Sequence, residues 1–493
     1  MAKKKAQTWF SKAELHEAIH GQNPWWETAK VPAAFVKPYR RSAYYEAVKF
    51  VDNGSSQRAV MLLGARRVGK TSILYQLIDH ALGQNTSPRK ILFLSLDHPL
   101  FQFSNLHQLL EQAAQCAEIR RADFEYIYLD EIQYTPDWAK WLKTFVQEPI
   151  KRRIVATGSA AATLKAKGPD EGVGRWIDVL VSMLSLAEFT VLRGHSPAAP
   201  PQKFNLKNPA GLAPLDADSQ QRVMAEFQEY LLRGGFPELA AAGLDLDTAQ
   251  SLLSGDIAEK VLHRDMAALY GVRQLLSLKQ IFLAVAFRSS EIIDRAKLAV
   301  DFQVSSPTVN QYLLYLQYAF LIRQAFNYNP AANKAVRSHP KLYVSDAALR
   351  HAVMRRGAAV LENPQGMGPI VETTVFNQVF AWARENLSTV YYWRSPQKPY
   401  REVDVVVCTQ EGKLIPLEVK YQNQIRDDDL RGLREFREKY GSRVIASYLI
   451  TKNLSGPDAE RAEAEQVTIM PAHEFVWRLA WSSADLSSLS SSN

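Results

Sequence analysis

The stretch Gly64-Ala-Arg-Arg-Val-Gly-Lys-Thr71 is the strongest indication of how the first part of the chain folds. It matches the pattern G-x-x-x-x-G-K-[ST] in full, with an apolar strand before it and helical text, Ser72–Leu82, behind it. Glycines in such a loop let backbone N–H groups turn towards a phosphate, and the N-terminus of the following helix adds its positive end. The pattern therefore predicts a phosphate-binding P-loop between a parallel strand and a helix.

Six residues in and beside this loop are assigned to nucleotide binding. Lys70 is expected to reach the β- and γ-phosphate oxygens of ATP, and Thr71 is expected to bind Mg²⁺ through its hydroxyl. The alternative is a glycine-rich loop that arises by chance, and the strand and helix on either side argue against it. The assigned residues are Gly64, Arg67, Gly69, Lys70, Thr71 and Ser72.

Two neighbouring acids, Asp130 and Glu131, follow the apolar run Tyr126–Leu129. Parallel sheets bind ligands at the carboxyl ends of their strands, so we expect both acids to lie on the side of the P-loop. Asp130 would hold Mg²⁺ through water, and Glu131 would orient and deprotonate the attacking water. A pair of solvated surface acids is the alternative. The second acid predicts that ATP is hydrolysed as well as bound.

One serine and one arginine complete the predicted nucleotide site. Ser159, just beyond the strand-like run Ile154–Ala156, is assigned to sensing the γ-phosphate by a hydrogen bond. The charge of the transition state calls for an arginine. Arg175 lies further on in a glycine-rich stretch and is predicted to reach the nucleotide of a neighbouring subunit, which implies a homo-oligomer. Arg66 and Arg67 are its rivals for that role.

Apolar runs alternate with helical text between residues 58 and 181, which is typical of a parallel sheet with helices on both faces. The predicted strands are Ala59–Leu63, Ile91–Leu96, Tyr126–Leu129 and Ile154–Ala156. Text rich in Pro, Ala and Asn at 196–218 indicates a linker, and serine-rich text from 482 indicates disorder. The predicted domains are an ATPase core (1–195), a linker and helical lid (196–274), a winged helix (275–350), an α/β domain (351–481) and a tail (482–493).

The winged helix-turn-helix is predicted from three short helices followed by two strand-like runs. These are the helices Leu275–Phe287, Glu291–Val300 and Ser306–Leu321 and the strands Leu321–Tyr328 and Lys341–Val344. The third helix begins with a capping serine and a proline, and its polar residues Asn310 and Gln311 could face a DNA groove. The same helix carries an apolar stripe at Tyr312, Leu313 and Leu316, so packing against the core is the open alternative.

Acidic residues and a lysine recur on two predicted strands near the C-terminus. Asp404 lies on the run Val403–Val407, and Glu418 and Lys420 lie on or next to the run Leu414–Val419. The two-residue repeat of a strand places Glu418 and Lys420 on the same face. Two carboxylates can bind Mg²⁺, and a lysine can position a water molecule for attack on a phosphodiester.

This C-terminal region resembles the PD-(D/E)XK nucleases, whose D…E-x-K pattern it carries. The resemblance implies a further metal ligand on the preceding helix, which is Glu372, so that Glu372, Asp404 and Glu418 would share the metal and Lys420 would assist catalysis. Glu402 could replace Asp404 as the first ligand. The alternative is that these side chains are ordinary surface residues on the solvent-facing side of an edge strand.

Charge and cysteine usage add further constraints. A net charge of +8 over 493 residues favours contact with a polyanion such as DNA. Cys116 and Cys408 stand far apart, which excludes a zinc cluster and indicates reduced packing residues. No run approaches the ~20 apolar residues that span a bilayer, and the first residues lack the apolar run of a signal peptide. We therefore expect a cytoplasmic protein without a membrane partner.

The order of several short motifs resembles the AAA-type ATPases of bacteria and archaea that carry an uncharacterised C-terminal domain. The motifs are Asn23-Pro-Trp-Trp26, Gly64–Thr71, Leu129-Asp-Glu-Ile-Gln133, Thr157-Gly-Ser159, Leu184-Ser-Leu-Ala-Glu-Phe189, Gly234-Gly-Phe-Pro-Glu238 and Leu342-Tyr-Val-Ser-Asp346. The resemblance covers nearly the whole chain and implies an α/β multidomain fold with an AAA+ core, a winged helix and a restriction-endonuclease-like domain. The chain departs from the pattern at Met183, where a proline is expected.

Two functions follow from these observations. The first is an ATPase that gates a Mg²⁺-dependent DNA nuclease, in genome defence or the control of mobile elements. The second is a non-nucleolytic ATP switch that binds DNA or a partner protein through its winged helix and an inert C-terminal domain. Metal-dependent cleavage of DNA by the wild type, compared with Lys420→Ala, separates them.

Overall fold

The computed structural model describes residues 11–53, 58–158, 175–195, 202–209, 211–241, 243–267, 272, 274–331, 338–454 and 464–482. Contacts divide the chain into two compact units, residues 1–181 and 182–493. Ser159 and the predicted tail from residue 483 onward lie outside the described residues. No described helix combines the length and the apolar character needed to cross a membrane.

The first unit is built on a parallel β-sheet. Its strands are β1 (Ala59–Leu63), β2 (Ile91–Ser95), β3 (Tyr126–Asp130), β4 (Arg153–Gly158) and β5 (Trp176–Leu180). Its helices are α1 (Lys12–Gly21), α2 (Trp25–Thr28), α3 (Ser42–Asp52), α4 (Lys70–Gly83), α5 (Leu106–Ala117) and α6 (Trp138–Gln147), with 3₁₀ turns at Pro88–Lys90, Pro99–Phe103, Arg121–Asp123 and Ile132–Tyr134. The strand order is β2-β3-β4-β1-β5, and every neighbouring pair is parallel. This sheet with its helices fits a P-loop fold.

The four predicted strands of this sheet are confirmed with shifts of one or two residues at their ends. The strands β1 and β3 lie inside the sheet and are apolar along almost their whole length, because inner strands of a parallel sheet are covered on both faces. The edge strand β2 is also buried except at its last residue. The strand β5 was not predicted. It lies at the edge of the sheet and exposes Asp178, so its sequence does not form a continuous apolar run.

The second unit opens with a helical region. Its helices are α7 (Leu186–Leu192), α8 (Ala217–Arg233), α9 (Pro237–Ala241) and α10 (Leu246–Leu252), followed by π-helical stretches at Leu253–Glu259 and Val261–Asp265. Ser185 and Glu188 form a capping box at the start of α7. Phe189 packs into the same core as Tyr230 of α8. Residues 182–195 therefore belong by contacts to the second unit, whereas the sequence assigned them to the ATPase core.

Three helices and a small antiparallel sheet come next. The helices are α11 (Leu275–Phe287), α12 (Arg295–Asp301) and α13 (Ser306–Tyr318), and the strands are β6 (Glu291–Ile292), β7 (Ile322–Ala325) and β8 (Lys341–Val344) in the order β6-β8-β7. The prediction of a helix from Glu291 was wrong, because Glu291 and Ile292 pair with β8. Helix α12 begins only at Arg295, where Asp294 caps it by accepting from the Ala296 N–H at 2.8 Å. The assignment of this region as a winged helix stays a prediction.

The C-terminal part of the second unit is a mixed sheet with helices. Its helices are α14 (Ala347–Met354), α15 (Pro364–Glu385), α16 (Arg431–Tyr440) and α17 (Ala472–Ser482), with 3₁₀ turns at Gly357–Glu362, Asp427–Leu430 and Gly441–Arg443. Its strands are β9 (Thr389–Arg394), β10 (Glu402–Cys408), β11 (Leu414–Lys420), β12 (Tyr448–Thr451) and β13 (Thr468–Pro471). Strands β9, β10 and β11 are antiparallel neighbours, and β11, β12 and β13 are parallel.

Two details of this sheet differ from the prediction. The strand predicted from Val444 begins at Tyr448, because Val444 follows the 3₁₀ turn and makes a single bridge to Leu414. The elements β13 and α17 were not predicted. The assignment of this part of the chain to a nuclease-like fold stays a prediction.

Two motifs from the sequence meet in the interior of the second unit. The buried carboxylate of Asp346 accepts from the backbone N–H of Gly235 at 2.6 Å and from that of Ala348 at 2.8 Å. Gly234 has φ +77°, and a Cβ at this position would lie 2.7 Å from Asp346 Oδ1. Only glycine fits here without strain, so these two motifs are explained by packing and hydrogen bonding.

Candidate functional site

The P-loop connects β1 to α4 and has the backbone that its glycines predict. Gly69 has φ 93° and Arg67 has φ 65°, both in the left-handed region. A Cβ at Gly64 would lie 2.5 Å from the carbonyl oxygen of Val181, so the loop passes close to the chain after β5. Lys70 is the first residue of α4, and its Nζ donates to the carbonyl oxygens of Gly64 and Ala65 at 3.1 and 3.0 Å. The ammonium is therefore held inside the loop.

A chain of hydrogen bonds links the start of α4 to the ends of β3 and β4. Thr71 Oγ1 donates to Asp130 Oδ2 at 2.8 Å, and Thr157 Oγ1 donates to Asp130 Oδ1 at 2.5 Å. Burial and then the neighbouring Glu131 raise the pKa of Asp130 to about 6. The two hydroxyl groups partly offset this effect, since each stabilises the ionised carboxylate. Thr71 and Asp130 are thus placed side by side, as two ligands of one Mg²⁺ ion would need to be.

Glu131 follows directly with a left-handed backbone, φ 53°. Its N–H donates to Thr157 Oγ1 at 2.9 Å, so the same threonine positions both acids. Its Oε1 lies 4.0 Å from Lys70 Nζ, and its Oε2 accepts from the side chain of Gln133. Its side chain is 25% exposed, in contrast to the buried Asp130. Glu131 therefore has a carboxylate oxygen near the lysine together with access to water.

The other residues predicted for the nucleotide site lie in different places. Ser72 is in the first turn of α4 and is half-buried, and Arg66 and Arg67 are in the loop itself. Arg175 directly precedes β5. With the Gln147 side-chain amide oriented so that its oxygen faces Arg175, Nη1 and Nη2 of Arg175 donate to that oxygen at 2.5 and 3.0 Å. Arg175 is therefore engaged within its own unit, and its action on a neighbouring subunit stays a prediction.

Arg41 was missed by the sequence prediction. It is buried, and its Nη1 donates to the carbonyl oxygen of Val68 in the P-loop at 2.9 Å. Gln76 of α4 donates to the carbonyl oxygens of Lys37 and Tyr39, both at 2.7 Å. The segment before α3 is thereby anchored to the P-loop and its helix. An arginine in a polar stretch gives no signal of such a contact.

The residues of this site fit ATP and Mg²⁺. The loop presents backbone N–H groups and a lysine at a helix N-terminus, which suits a chain of phosphates. Thr71 and Asp130 offer the oxygen ligands that Mg²⁺ prefers, and few protein ligands are needed because Mg²⁺ keeps several waters and binds the phosphates.

The four residues predicted for the C-terminal site lie together in one cluster. Asp404 on β10 and Glu418 on β11 are neighbours, since the Asp404 N–H donates to Glu418 Oε2 at 3.3 Å and the Val419 N–H donates to Asp404 Oδ2 at 3.0 Å. Lys420 Nζ contacts Glu418 Oε1 at 2.5 Å. Glu372 joins the cluster from helix α15. Glu402 forms an ion pair with Arg394 at 3.3 Å instead.

A second lysine, which was not predicted as a site residue, joins Glu372, Asp404, Glu418 and Lys420. We call this group the acid cluster. Lys341 of β8 places its Nζ 2.7 Å from Glu372 Oε1 and 2.7 Å from Asp404 Oδ1. Tyr343, two residues further along the same strand, donates from its hydroxyl to Glu372 Oε1 at 3.0 Å. Lys341, Asp404 and Glu418 are all buried. The only signal in the sequence was a lysine at the start of an otherwise apolar strand.

Charges in this cluster are strongly coupled. Burial and then Asp404 raise the pKa of Glu418 to about 8 and that of Glu372 to about 7. For Asp404 burial acts in the same direction, but Lys341 and Lys420 outweigh it and the pKa of Asp404 is lowered. The pKa of Lys341 is raised despite burial, because Asp404 and Glu372 flank its ammonium.

The acid cluster as arranged does not fit a metal ion. The four carboxylate oxygens of Asp404 and Glu418 each have a nitrogen donor within hydrogen-bond distance, supplied by Lys341, Val419, Lys420 and Asp404 itself. Across the described residues, no group of three or more His, Cys, Asp or Glu side chains is arranged to hold a metal. The metal ligation predicted for Glu372, Asp404 and Glu418 therefore stays a prediction that this geometry opposes.

Three family models match successive parts of the chain. Residues 56–190 match an AAA domain, residues 224–359 match a domain of unknown function (DUF8612), and residues 367–475 match another domain of unknown function (DUF4143). The first match contains the P-loop, Asp130 and Glu131. The last contains all three carboxylates of the acid cluster but not Lys341, which lies in the second match.

Two bacterial proteins are similar over most of the chain. A protein of Haemophilus influenzae, described as uncharacterized, is 27% identical over 305 residues, which is 60% of this chain and 70% of the relative. A protein of Mycobacterium tuberculosis, also described as uncharacterized, is 26% identical over 353 residues, which is 71% of this chain and 67% of the relative.

Solved structures resemble the chain only distantly. Caenorhabditis elegans PCH-2 has a TM-score of 0.26 and 14% identity, covering 51% of this chain and 68% of PCH-2. The replication initiator DnaA bound to AMPPCP and single-stranded DNA has a TM-score of 0.24 and 14% identity, covering 57% and 89%. Scores this low support no functional argument. The matched regions and the P-loop geometry together show that the chain carries an AAA-type P-loop ATPase domain and, after it, a C-terminal domain of the DUF4143 type.

Proposed function

We propose that the chain is a Mg²⁺-dependent ATPase that acts as a nucleotide-driven switch, and that its C-terminal domain does not cleave DNA. The observation that carries the ATPase is the hydrogen-bonded set of Thr71, Asp130, Thr157 and Glu131 beside Lys70. A site that only binds nucleotide has no need of the second acid. Here Glu131 is both positioned by Thr157 and open to water.

Each side chain of this set has a separate task. Bound Mg²⁺-ATP supplies the phosphoryl group that is transferred and a divalent charge beside it. Lys70 is held where it can neutralise phosphate oxygens, and Thr71 and Asp130 offer oxygens to the metal. Glu131 accepts the proton of the attacking water at its exposed carboxylate. Arg175 supplies positive charge to the transition state if the chain assembles with copies of itself.

Thr71→Val tests the ATPase assignment. The substitution keeps the volume and removes the hydroxyl that bonds Asp130, so ATP hydrolysis should fall at least ~100-fold if that hydroxyl binds Mg²⁺. Thr144→Val is the matched control, because Thr144 is exposed on α6 and bonds only within its own helix. Equal turnover by the two variants would remove Thr71 from the site.

DNA is the partner that we propose for the switch. Helix α13 exposes Asn310 and Gln311 while it buries Tyr312, Leu313 and Leu316, so one face packs and the other is open to a ligand. Arg295 of α12 donates to Asn310 Oδ1 at 3.2 Å, which adds a cation to the exposed face. The exposed polar face and the buried apolar face of this helix support the proposal. A polar face with an adjacent arginine suits base edges and phosphates.

Anisotropy titrations of labelled duplex DNA, with and without ATP, test this partner. Asn310→Ala combined with Gln311→Ala should weaken binding at least ~5-fold, the lower end of what a good base contact contributes. Gln115→Ala, on an exposed face of α5, should leave the affinity unchanged. Wild-type protein that shows no affinity for DNA in either nucleotide state would favour a protein partner.

A metal-dependent nuclease is the second candidate. It is favoured by the proximity of Glu372, Asp404, Glu418 and Lys420, and opposed by the lysine that lies among the three acids. Plasmid and single-stranded DNA should remain intact with Mg²⁺ or Mn²⁺, with or without ATP. Cleavage by the wild type that is lost in Lys420→Ala would establish the nuclease and reject the non-nucleolytic part of the proposal.

A further inference from the structure

The acid cluster receives its central cation from a strand outside the sheet that carries Asp404 and Glu418. Lys341 belongs to β8, the middle strand of the small antiparallel sheet β6-β8-β7. Its backbone pairs with Ile292 on one side and with Ala325 on the other. The side chain extends from there to Asp404 of β10. The position of the ammonium is thus set by a strand that is itself held at both edges.

Further contacts fix β8 to the helix that carries Glu372. Val344 N–H donates to Ser289 Oγ at 3.1 Å, and Ser289 Oγ is 2.8 Å from Thr373 Oγ1 on α15. Asn377, one helical turn beyond Thr373, donates to the carbonyl oxygen of Val344 at 2.9 Å. The ring of Tyr343 stacks on Phe376 with a centroid distance of 3.7 Å. These contacts fix the backbone of β8 against α15, so the side chain of Lys341 starts from a fixed point beside Glu372 and Asp404.

We propose that Lys341 is the permanent cation of the acid cluster and that its ammonium occupies the position a divalent metal ion would need. Its Nζ lies 2.7 Å from an oxygen of Glu372 and 2.7 Å from an oxygen of Asp404. A Mg²⁺ ion binds carboxylate oxygens at about 2.1 Å, so an ion shared by the same two oxygens would overlap the nitrogen. The two cations exclude each other.

Charge balance supports a permanent role. Glu372, Asp404 and Glu418 bring three carboxylates into a buried space, and Lys341 and Lys420 bring two ammonium groups. One proton on the three carboxylates makes the set neutral without a metal ion. A divalent ion added to this set would leave an excess of buried positive charge, which is strongly unfavourable. The cluster therefore has its full complement of cations.

This inference rests on the non-nucleolytic part of the proposed function and gives it a physical cause. It assigns Lys341 as a structural substitute for a metal, and it predicts that the domain binds no Mg²⁺ or Mn²⁺. Metal binding, DNA cleavage and ATP hydrolysis are measured separately. Failure of the inference is therefore distinguishable from failure of the ATPase or of the non-nucleolytic proposal.

Mn²⁺ titration of the full chain by calorimetry tests the proposal. All proteins carry Asp130→Asn, so that the nucleotide site contributes no metal ligand from that acid. The parent should show no measurable Mn²⁺ binding, whereas Lys341→Ala should bind about one Mn²⁺ per chain, because the carboxylates released by the lysine become ligands. Adding Glu372→Gln to Lys341→Ala should remove that binding, because Glu372 is one of the two acids that contact the ammonium. The melting temperature should rise with Mn²⁺ in Lys341→Ala and not in the parent.

Lys420→Ala is the matched control, since it removes the other ammonium of the cluster and leaves Lys341 in place. It should gain no Mn²⁺ site, and an equal gain in both variants would show that net charge alone is responsible and overturn the proposal. If Lys341→Ala does not fold, the double variant Lys341→Ala, Glu418→Gln removes one cationic and one acidic side chain and keeps Glu372 and Asp404, the two acids that contact the ammonium, for the ion. A folded Lys341→Ala, Glu418→Gln variant without Mn²⁺ binding would also overturn the proposal, as would Mn²⁺ binding by the parent that is lost with Glu372→Gln.

Discussion

Replacing Glu131 by glutamine should separate ATP binding from ATP hydrolysis. The backbone of Glu131 is fixed by its bond to Thr157 Oγ1 and by its left-handed conformation, and neither depends on the carboxylate. Glutamine has the same shape, and its amide oxygen can still accept from Gln133. The substitution therefore removes a base without disturbing the frame that holds it.

The magnitude follows from two separate contributions. A well-placed general base contributes about 10²- to 10⁴-fold to a rate, so kcat should fall by that factor, equivalent to about 3 to 5 kcal/mol in the barrier. The ion pair of Glu131 with Lys70 is 4.0 Å long and its acid is 25% exposed. Such a pair is worth about 0 to 1 kcal/mol, so the dissociation constant for ATP should change only a few-fold.

Steady-state phosphate release measures the first contribution, and equilibrium binding of a fluorescent ATP analogue measures the second. Glu125→Gln is a suitable control, because Glu125 is an acid of the same unit that pairs with Lys90 away from the P-loop. Turnover of Glu131→Gln within three-fold of the wild type, at unchanged affinity, would refute the role of Glu131 as base.

Three further predictions concern other parts of the chain. Burial and Glu131 raise the pKa of Asp130 to about 6, so lowering the pH from 7.5 to 5.5 should protonate Asp130. The Mg²⁺ concentration needed for half-maximal ATP hydrolysis should then rise. An unchanged Mg²⁺ requirement would exclude Asp130 as a ligand. Mixing inactive Arg175→Ala with inactive Lys70→Ala should restore some ATPase activity if the arginine acts across subunits, and no recovery in a mixed oligomer would contradict this. Gly234→Ala should lower the free energy of unfolding of the second unit by about 2 kcal/mol or more, for two reasons. The new methyl group would collide with the buried carboxylate of Asp346, which caps α14, and alanine is strained at the positive φ of this position. Gly243→Ala, which has a positive φ and open space, should cost only about 1 kcal/mol in a chemical denaturation experiment, and equal losses would contradict the steric argument.

The first unit could be predicted well because its signals are local. Gly64 and Gly69 are enough to predict the backbone conformation of the P-loop. The apolar runs that precede Asp130 and Thr157 are buried strands, as their sequence indicates. Parallel strands bring their carboxyl ends to one edge, so neighbouring strands carry neighbouring functional residues. The role of Thr157 could not be predicted, because its bonds to both acids depend on distances across the sheet.

The acid cluster could be predicted only in part, because one of its members comes from a distant part of the sequence. The spacing of Asp404, Glu418 and Lys420 on adjacent strands predicts that they meet, and they do. Lys341 comes from a strand of another sheet, and nothing in its immediate sequence indicates the partner that it finds. A charged residue in an apolar strand signals only that some partner exists, since buried charges are almost always paired. That single lysine changes the chemistry proposed for the whole C-terminal domain.

Steady-state ATP hydrolysis by the purified full chain and by Lys70→Ala, each measured with Mg²⁺ and with a chelator, tests whether the P-loop is a Mg²⁺-dependent ATPase site. We expect Mg²⁺-dependent turnover by the wild type and none above background in Lys70→Ala, because this substitution removes the cation held inside the P-loop. Equal turnover by the two proteins, or turnover that persists without Mg²⁺, would contradict this assignment.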